Sequence, residues 1–261
     1  MPLISATILP HSPLLLPGLT DEARAAVSKT TTAIGSLSEK ILSQKPDVIF
    51  IISAHTGLVG GSNKYALLQG PKFNYVFNQF GDLVTSGSIK GAIGFTHHLK
   101  EKLETKFPLP LVSAELLPYT FAIPLVCLGA TINSLPIACL QIPKEISADE
   151  IKRLATLLSE EISAMPERVA IIATGNLSHN KETSNTQAKI FDQLFQAACQ
   201  ENSLNKLTNM DVSVRREIEE CLWSPTTLLY SLLGEQKVST QIISYEASVG
   251  IGFLVAEINI D

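Results

Sequence analysis

The sequence predicts a single α/β domain, residues 1–261, in which helices flank a central, mostly parallel or mixed β-sheet. Short apolar runs rich in β-branched residues alternate along the chain with longer stretches of helical periodicity. No repeat, low-complexity segment or linker divides the sequence. With 261 residues, of which 45% are hydrophobic and 17% charged, the chain can bury a large core.

Four of the apolar runs are each followed by a polar residue that can bind a metal. These runs are Ile4–Leu9, Val48–Ile52, Val169–Ala173 and Gln241–Ser244, and the residues that follow them are His11, His55, His179 and Glu246. In open α/β sheets ligands bind in the crevice at the carboxyl ends of the strands. The four side chains are therefore expected to approach one another at one edge of the sheet.

The segments between these runs predict the remaining elements. A helix is expected from Thr20, with acidic residues in its first turn, to about Gln44. Residues 81–94 are rich in glycine and predict a loop. The long apolar region 109–140 predicts a buried strand–turn–strand because charged, asparagine and proline residues interrupt it, and residues 212–222 predict a polar helix.

Charge and cysteine usage exclude several classes of protein. The net charge of −5 gives no basic surface for a nucleic acid. The four cysteines have no CxxC spacing and lie in apolar or helical stretches, which predicts buried free thiols in a reducing compartment, the cytoplasm. The apolar N-terminus has no positive charge before Arg24 and is broken by prolines, unlike a signal peptide. No membrane association is expected.

The four polar residues suggest a metal-dependent reaction. Two neutral imidazoles and one carboxylate are the ligands of non-haem Fe(II) oxygenases, and the same set also binds catalytic zinc. The ligand types therefore leave the metal open. A further histidine near the metal would be a natural general acid–base, because its ordinary pKa is close to neutrality.

Four motifs carry a resemblance to a known family. They are Leu9–Leu15 (LPHSPLL), Ile52–His55 (ISAH), Ala173–His179 (ATGNLSH) and Ser244–Glu246 (SYE) with the following Gly250–Phe253 (GIGF). In this order and across nearly the whole chain, the sequence resembles the class III extradiol ring-cleavage dioxygenases of the catalytic-subunit (LigB-like) superfamily. The Memo proteins are more distant relatives.

The resemblance implies an Fe(II) ion held by His11, His55 and Glu246, with His179 as acid–base. Because the same ligand types also bind zinc, zinc is the metal expected as an alternative in the purified protein. The substrates implied are a catechol-like aromatic compound and dioxygen. The sequence departs from the family at two places: Asn176 stands where aspartate is usual, and Tyr119 stands where many members have a histidine that lines the pocket. Tyr119 is expected to donate a hydrogen bond there.

These departures keep two other functions open. One is a Memo-like metal-binding protein without ring-cleavage activity, acting with a partner protein encoded nearby. The other is a zinc-dependent hydrolase that uses the same site with His179 as proton shuttle. A homodimer is the assembly that the resemblance suggests.

Overall fold

The structure is a computed structural model, and it describes residues 2–55, 64–179, 186–247 and 249–261. Its centre is an eight-stranded mixed sheet, which confirms the predicted α/β class. The strands are β1 (Leu3–Leu9), β2 (Val48–Ser53), β3 (Ala66–Gln69), β6 (Leu111–Ser113), β7 (Ile137–Gln141), β8 (Val169–Thr174), β9 (Val238–Glu246) and β10 (Phe253–Ile260). They lie in the order β6-β3-β7-β2-β8-β1-β10-β9, while β4 (Lys72–Phe77) and β5 (Asp82–Lys90) form a separate hairpin.

Helices cover both faces of the sheet. They are α1 (Asp21–Ala25), α2 (Ser28–Ser43), α3 (Ile93–Leu103), α4 (Tyr119–Leu128), α5 (Ala148–Ala164), α6 (Thr186–Gln200), α7 (Leu204–Thr208), α8 (Val212–Glu217) and α9 (Trp223–Leu233). Every residue of β2 and β8 is buried, as expected for central strands with helices on both faces. Two hydrophobic clusters form, one on each side. Within the described ranges, no helix is both long and apolar enough to cross a membrane.

The order of the central strands defines the edge at which a site can form. β7, β2, β8 and β1 are mutually parallel neighbours, so their carboxyl ends lie at the same edge. His11 lies two residues beyond β1 and His55 two residues beyond β2, while β8 lies between these strands. β10 and β9 complete the sheet in antiparallel orientation beyond β1.

The structure corrects three predicted elements. The predicted glycine-rich loop is mostly strand β5, in which Gly87 makes room for the ring of Tyr75: a Cβ there would lie 2.5 Å from the tyrosine hydroxyl. The predicted strand–turn–strand 109–140 contains helix α4 between β6 and β7. That helix is apolar on all sides and holds Pro124, so the sequence shows no amphipathic period there. The predicted helix 20–44 is interrupted at Val27.

Candidate metal centre

Two of the predicted site residues come into direct proximity. The ring centroids of His11 and His55 lie 5.0 Å apart in an edge-to-face arrangement. His11 is buried, with 1% of its surface exposed, and His55 is half-buried. The shared edge of the parallel strands thus brings together two imidazoles that are separated by 44 positions in the sequence.

Cys221 is the third donor at this point, and the sequence reasoning missed it. Its Sγ lies 3.4 Å from Nε2 of His11, and the ligand atoms of His11, His55 and Cys221 all lie within 4.8 Å of one another. The predicted helix 212–222 would have kept this thiol within a helix. Instead α8 ends at Glu217, and the chain turns through Glu219, whose φ is 54°.

Gly175 allows the Cys221 segment to approach the sheet. A Cβ on Gly175 would lie 2.5 Å from the carbonyl oxygen of Cys221, which is closer than real Cβ contacts. The backbone N–H of Asn176 then donates to the Cys221 sulfur at 3.2 Å, and the N–H of Cys221 donates to the Asn176 carbonyl at 3.0 Å. The absence of a side chain at Gly175 therefore lets the segment of Cys221 pack directly against the end of β8.

Burial sets the protonation of the three donors. It lowers the pKa of His11 well below the ordinary value, and together with the charge of Lys144 it lowers the pKa of His55 to about 4. Both imidazoles are therefore neutral at pH 7 and can bind a metal without first losing a proton. Burial raises the pKa of the Cys221 thiol to about 12, so a metal would have to displace its proton.

The donor set fits a metal ion. Bonds of about 2.0–2.3 Å to nitrogen and sulfur place ligand atoms roughly 3–4 Å apart, so small side-chain movements would close the group around one cation. The His11 nitrogen that faces the thiol is Nε2, and it lies within 4.8 Å of the ligand atoms of both other residues. Three donors leave positions free for a substrate.

His179 lies next to this group and is joined to it by Asn176. The Asn176 Oδ1 accepts the backbone N–H of His11 at 3.3 Å, and its Nδ2 lies 3.5 Å from Nε2 of His179. Burial is the main reason that the pKa of His179 is lowered. The Asn176 amide can accept a hydrogen bond through its oxygen and donate one through its nitrogen to a neutral His179 ring. An ionised carboxylate at this position could only accept hydrogen bonds.

Tyr119 lies beside the same two imidazoles. Its ring centroid lies 6.1 Å from that of His11 and 6.3 Å from that of His55. Phe80, in the short turn between β4 and β5, packs edge-to-face on Tyr119 at 5.0 Å. Burial raises the pKa of Tyr119, so its hydroxyl remains protonated and can donate a hydrogen bond.

Glu246 is not among the three clustered donors. It ends β9, two strands away from β1, and its Oε2 accepts the backbone N–H of Thr30 at 2.7 Å and the Thr30 hydroxyl at 2.5 Å. Thr30 lies in the first turn of α2, where Val27 at the N-cap supplies no side-chain acceptor. The carboxylate therefore caps α2 from another element, which is favourable at a helix N-terminus. Its role as a metal ligand stays a prediction.

Two parallel strands lead to the neighbouring imidazoles of His11 and His55, and a thiol and an aromatic ring lie beside them, so this edge of an α/β protein is a candidate metal site. The comparison with known families gives the class a name. The family model of the catalytic LigB subunit of aromatic ring-opening dioxygenase matches residues 5–256, and the chain belongs to this family. No curated protein matches the sequence closely.

One similar solved structure supports the fold. It is the crystal structure of the uncharacterized protein JW3007 from Escherichia coli K12, which is 15% identical. The similarity covers 98% of this chain and 99% of that chain, with a TM-score of 0.65. At this identity the likeness concerns the course of the backbone alone.

Proposed function

We propose that the protein is an Fe(II)-dependent extradiol dioxygenase that opens the ring of a catechol-like aromatic compound with dioxygen. The observation that carries the proposal is the pair of neutral imidazoles, the buried His11 and the half-buried His55, beside Cys221 in a member of a ring-opening dioxygenase family. Iron, when bound, supplies the electron transfer between an aromatic diol and dioxygen that side chains alone cannot perform.

His11 and His55 would hold the ion, with Cys221 as third donor in the arrangement described above. Glu246 remains the alternative third ligand, and it would have to leave Thr30 in order to reach the imidazoles. Either ligand brings one negative charge and leaves room for two substrate oxygens. The side chains would thus fix the position at which a diol docks.

The neighbouring side chains have proton-handling roles in this proposal. His179 is neutral because burial lowers its pKa, so one of its ring nitrogens can take the proton of a diol hydroxyl. Tyr119 keeps its own proton and donates a hydrogen bond to a substrate oxygen. Phe80 and Tyr119 together present an aromatic wall that limits the access of water.

Turnover by protein loaded under anaerobic conditions tests the proposal. The protein is purified without oxygen, loaded with Fe(II), and offered a broad panel of catechols while oxygen uptake and the yellow absorbance of ring-cleaved products are followed. We expect turnover that is lost in His55→Ala and kept in His97→Ala, an exposed histidine of α3. Stoichiometric iron with no turnover of any compound would refute the proposal.

The thiol favours a second candidate, a zinc-dependent hydrolase. A soft sulfur ligand with two imidazoles and an open position resembles catalytic zinc sites. In that case His179 would shuttle the proton of a metal-activated water. Zinc at full occupancy, together with esterase or amidase activity that disappears in His179→Ala, would support this candidate against the dioxygenase.

A Memo-like protein that binds metal without cleaving rings is the remaining candidate, and Tyr119 and Asn176 motivate it. Capture of the protein encoded by the neighbouring gene, combined with a negative catechol screen, would support it.

We also propose that the protein acts in the cytoplasm, since its four cysteines are free. The proposed homodimer is tested by sedimentation equilibrium.

A further inference from the structure

A buried carboxylate outside the candidate metal centre joins the two segments that carry His179 and Glu246. Asp192, in helix α6, is 1% exposed. Its Oδ1 accepts the backbone N–H of Ser178 at 3.1 Å, and its Oδ2 accepts the Ser178 hydroxyl at 2.9 Å. Ser178 immediately precedes His179.

The same Oδ2 also accepts the hydroxyl of Tyr245 at 2.7 Å. Tyr245 immediately precedes Glu246 at the end of β9. Three donors therefore converge on one carboxylate, which can remain ionised although burial raises its pKa. The pKa of Tyr245 is itself raised, by burial and by this hydrogen bond, so the phenol keeps the proton that it donates.

The β9–β10 turn completes the junction. The N–H of Leu177 donates to the Gly252 carbonyl at 2.8 Å, and the N–H of Gly252 donates to the Ser178 carbonyl at 2.8 Å. A Cβ on Gly252 would lie 2.4 Å from Oδ2 of Asp192, so a glycine is needed for the carboxylate to fit. Hydrogen bonds to Asp192 and to Gly252 thus hold the turn before His179.

We propose that Asp192 is a positioning residue that fixes the backbone of the His179 turn against β9, and so sets where the His179 ring stands relative to the metal centre. The residue touches none of the three clustered donors, and it acts through Ser178 and Tyr245. This inference rests on the proposed function for its catalytic consequence. Its structural part, the fixing of the turn, can be tested without that function.

Amide hydrogen exchange in the metal-free protein gives the first test. In Asp192→Ala we expect the backbone amides of Ser178 and His179 to exchange at least about tenfold faster. The Ser178 amide loses its acceptor, Asp192 Oδ1, and the His179 amide follows a residue whose backbone is no longer held. Amides of the central strands should remain protected. Gln193→Ala, an exposed change on the same helix, should alter neither set. Unchanged exchange at Ser178 and His179 would overturn the inference.

Metal affinity and turnover give the second test. Asp192→Ala should leave Zn(II) affinity within about threefold while kcat for a cleaved catechol falls roughly 10- to 100-fold, because small displacements of a reacting group have effects of this size. Asp192→Asn and Tyr245→Phe, which keep the shape of the junction, should give smaller losses and provide folded variants if the alanine variant fails to fold. A fall in stability with unchanged kcat would overturn the positioning role. If wild-type protein cleaves no ring, the proposed function fails while the exchange result still decides this inference.

Discussion

The third residue of the proposed metal site, Cys221 or Glu246, is the most informative feature to test. Replacing Cys221 by serine removes the thiol from the three clustered donors, while serine can still accept the N–H of Asn176 that the sulfur accepts now. Zinc sites with four ligands are worth about 10–16 kcal/mol in total, or roughly 2.5–4 kcal/mol per ligand. At 1.4 kcal/mol per tenfold change, Cys221→Ser should weaken Zn(II) binding by about 10²-fold or more.

The matched variant is Glu246→Gln, which tests the ligand expected from the family resemblance. In the structure Glu246 is engaged by two hydrogen bonds from Thr30 at the start of α2. Glu246→Gln replaces the charged acceptor of these hydrogen bonds by a neutral amide, so it should reduce the free energy of unfolding by about 1–3 kcal/mol. We expect it to change the metal affinity less than about threefold. The two variants thus separate a loss of metal binding from a loss of helix capping.

Competition with a chromophoric chelator measures Zn(II) affinity, and thermal unfolding of the metal-free proteins measures stability. Cys127→Ser serves as control, since Cys127 is a free thiol that donates to the Leu15 carbonyl and is not one of the clustered donors. Affinity that falls 10²-fold in Glu246→Gln and stays unchanged in Cys221→Ser would refute the reasoning. It would mean that Glu246 leaves α2 and binds the ion.

Three further predictions concern the surroundings of the centre. Gly175→Ala should displace the segment of Cys221 and weaken Zn(II) binding at least tenfold, with lower stability, as measured by the same chelator competition. Asp82→Asn should lower the free energy of unfolding by about 1–3 kcal/mol in denaturant titrations, because the carboxylate accepts three backbone N–H groups. Burial alone would raise the pKa of Asp82, but these hydrogen bonds lower it. The stabilisation of the folded state by the Asp82 carboxylate should therefore disappear as the pH falls through that lowered pKa. A difference in the free energy of unfolding between wild type and variant that does not depend on pH would contradict this. Asn176→Asp should raise the pKa of His179 because it places a negative charge beside the ring, seen by NMR titration, and an unchanged pKa would mean that the two side chains do not interact.

Continuous apolar runs made the central strands predictable. β2 and β8 are buried on both faces, so nearly every residue in them is apolar and their bounds follow from the sequence within one residue. The parallel arrangement places the ends of β1 and β2, and with them His11 and His55, at one edge. α4 could not be predicted because an all-apolar helix has no amphipathic period.

Cys221 could not be found from the sequence for a different reason. Its place depends on the end of α8 at Glu217, on the positive φ of Glu219, and on the space left by Gly175. None of these local conformations has a strong signal in the amino-acid sequence. The contact itself joins positions 210 residues apart, so only the folded chain brings the thiol to His11.

The thiol also changes what the metal content of the purified protein can mean. A cysteinate and a glutamate carry the same charge, so either leaves the same net charge on a divalent centre, but the sulfur is softer and favours zinc over iron. Zinc in the purified protein would therefore follow from the ligand type alone and would be compatible with a ring-opening enzyme. Replacement of the zinc by Fe(II) at constant occupancy separates the two functions. If the replacement creates catechol turnover, the donors hold an oxygenase centre. If it only removes hydrolytic activity, they hold a zinc site.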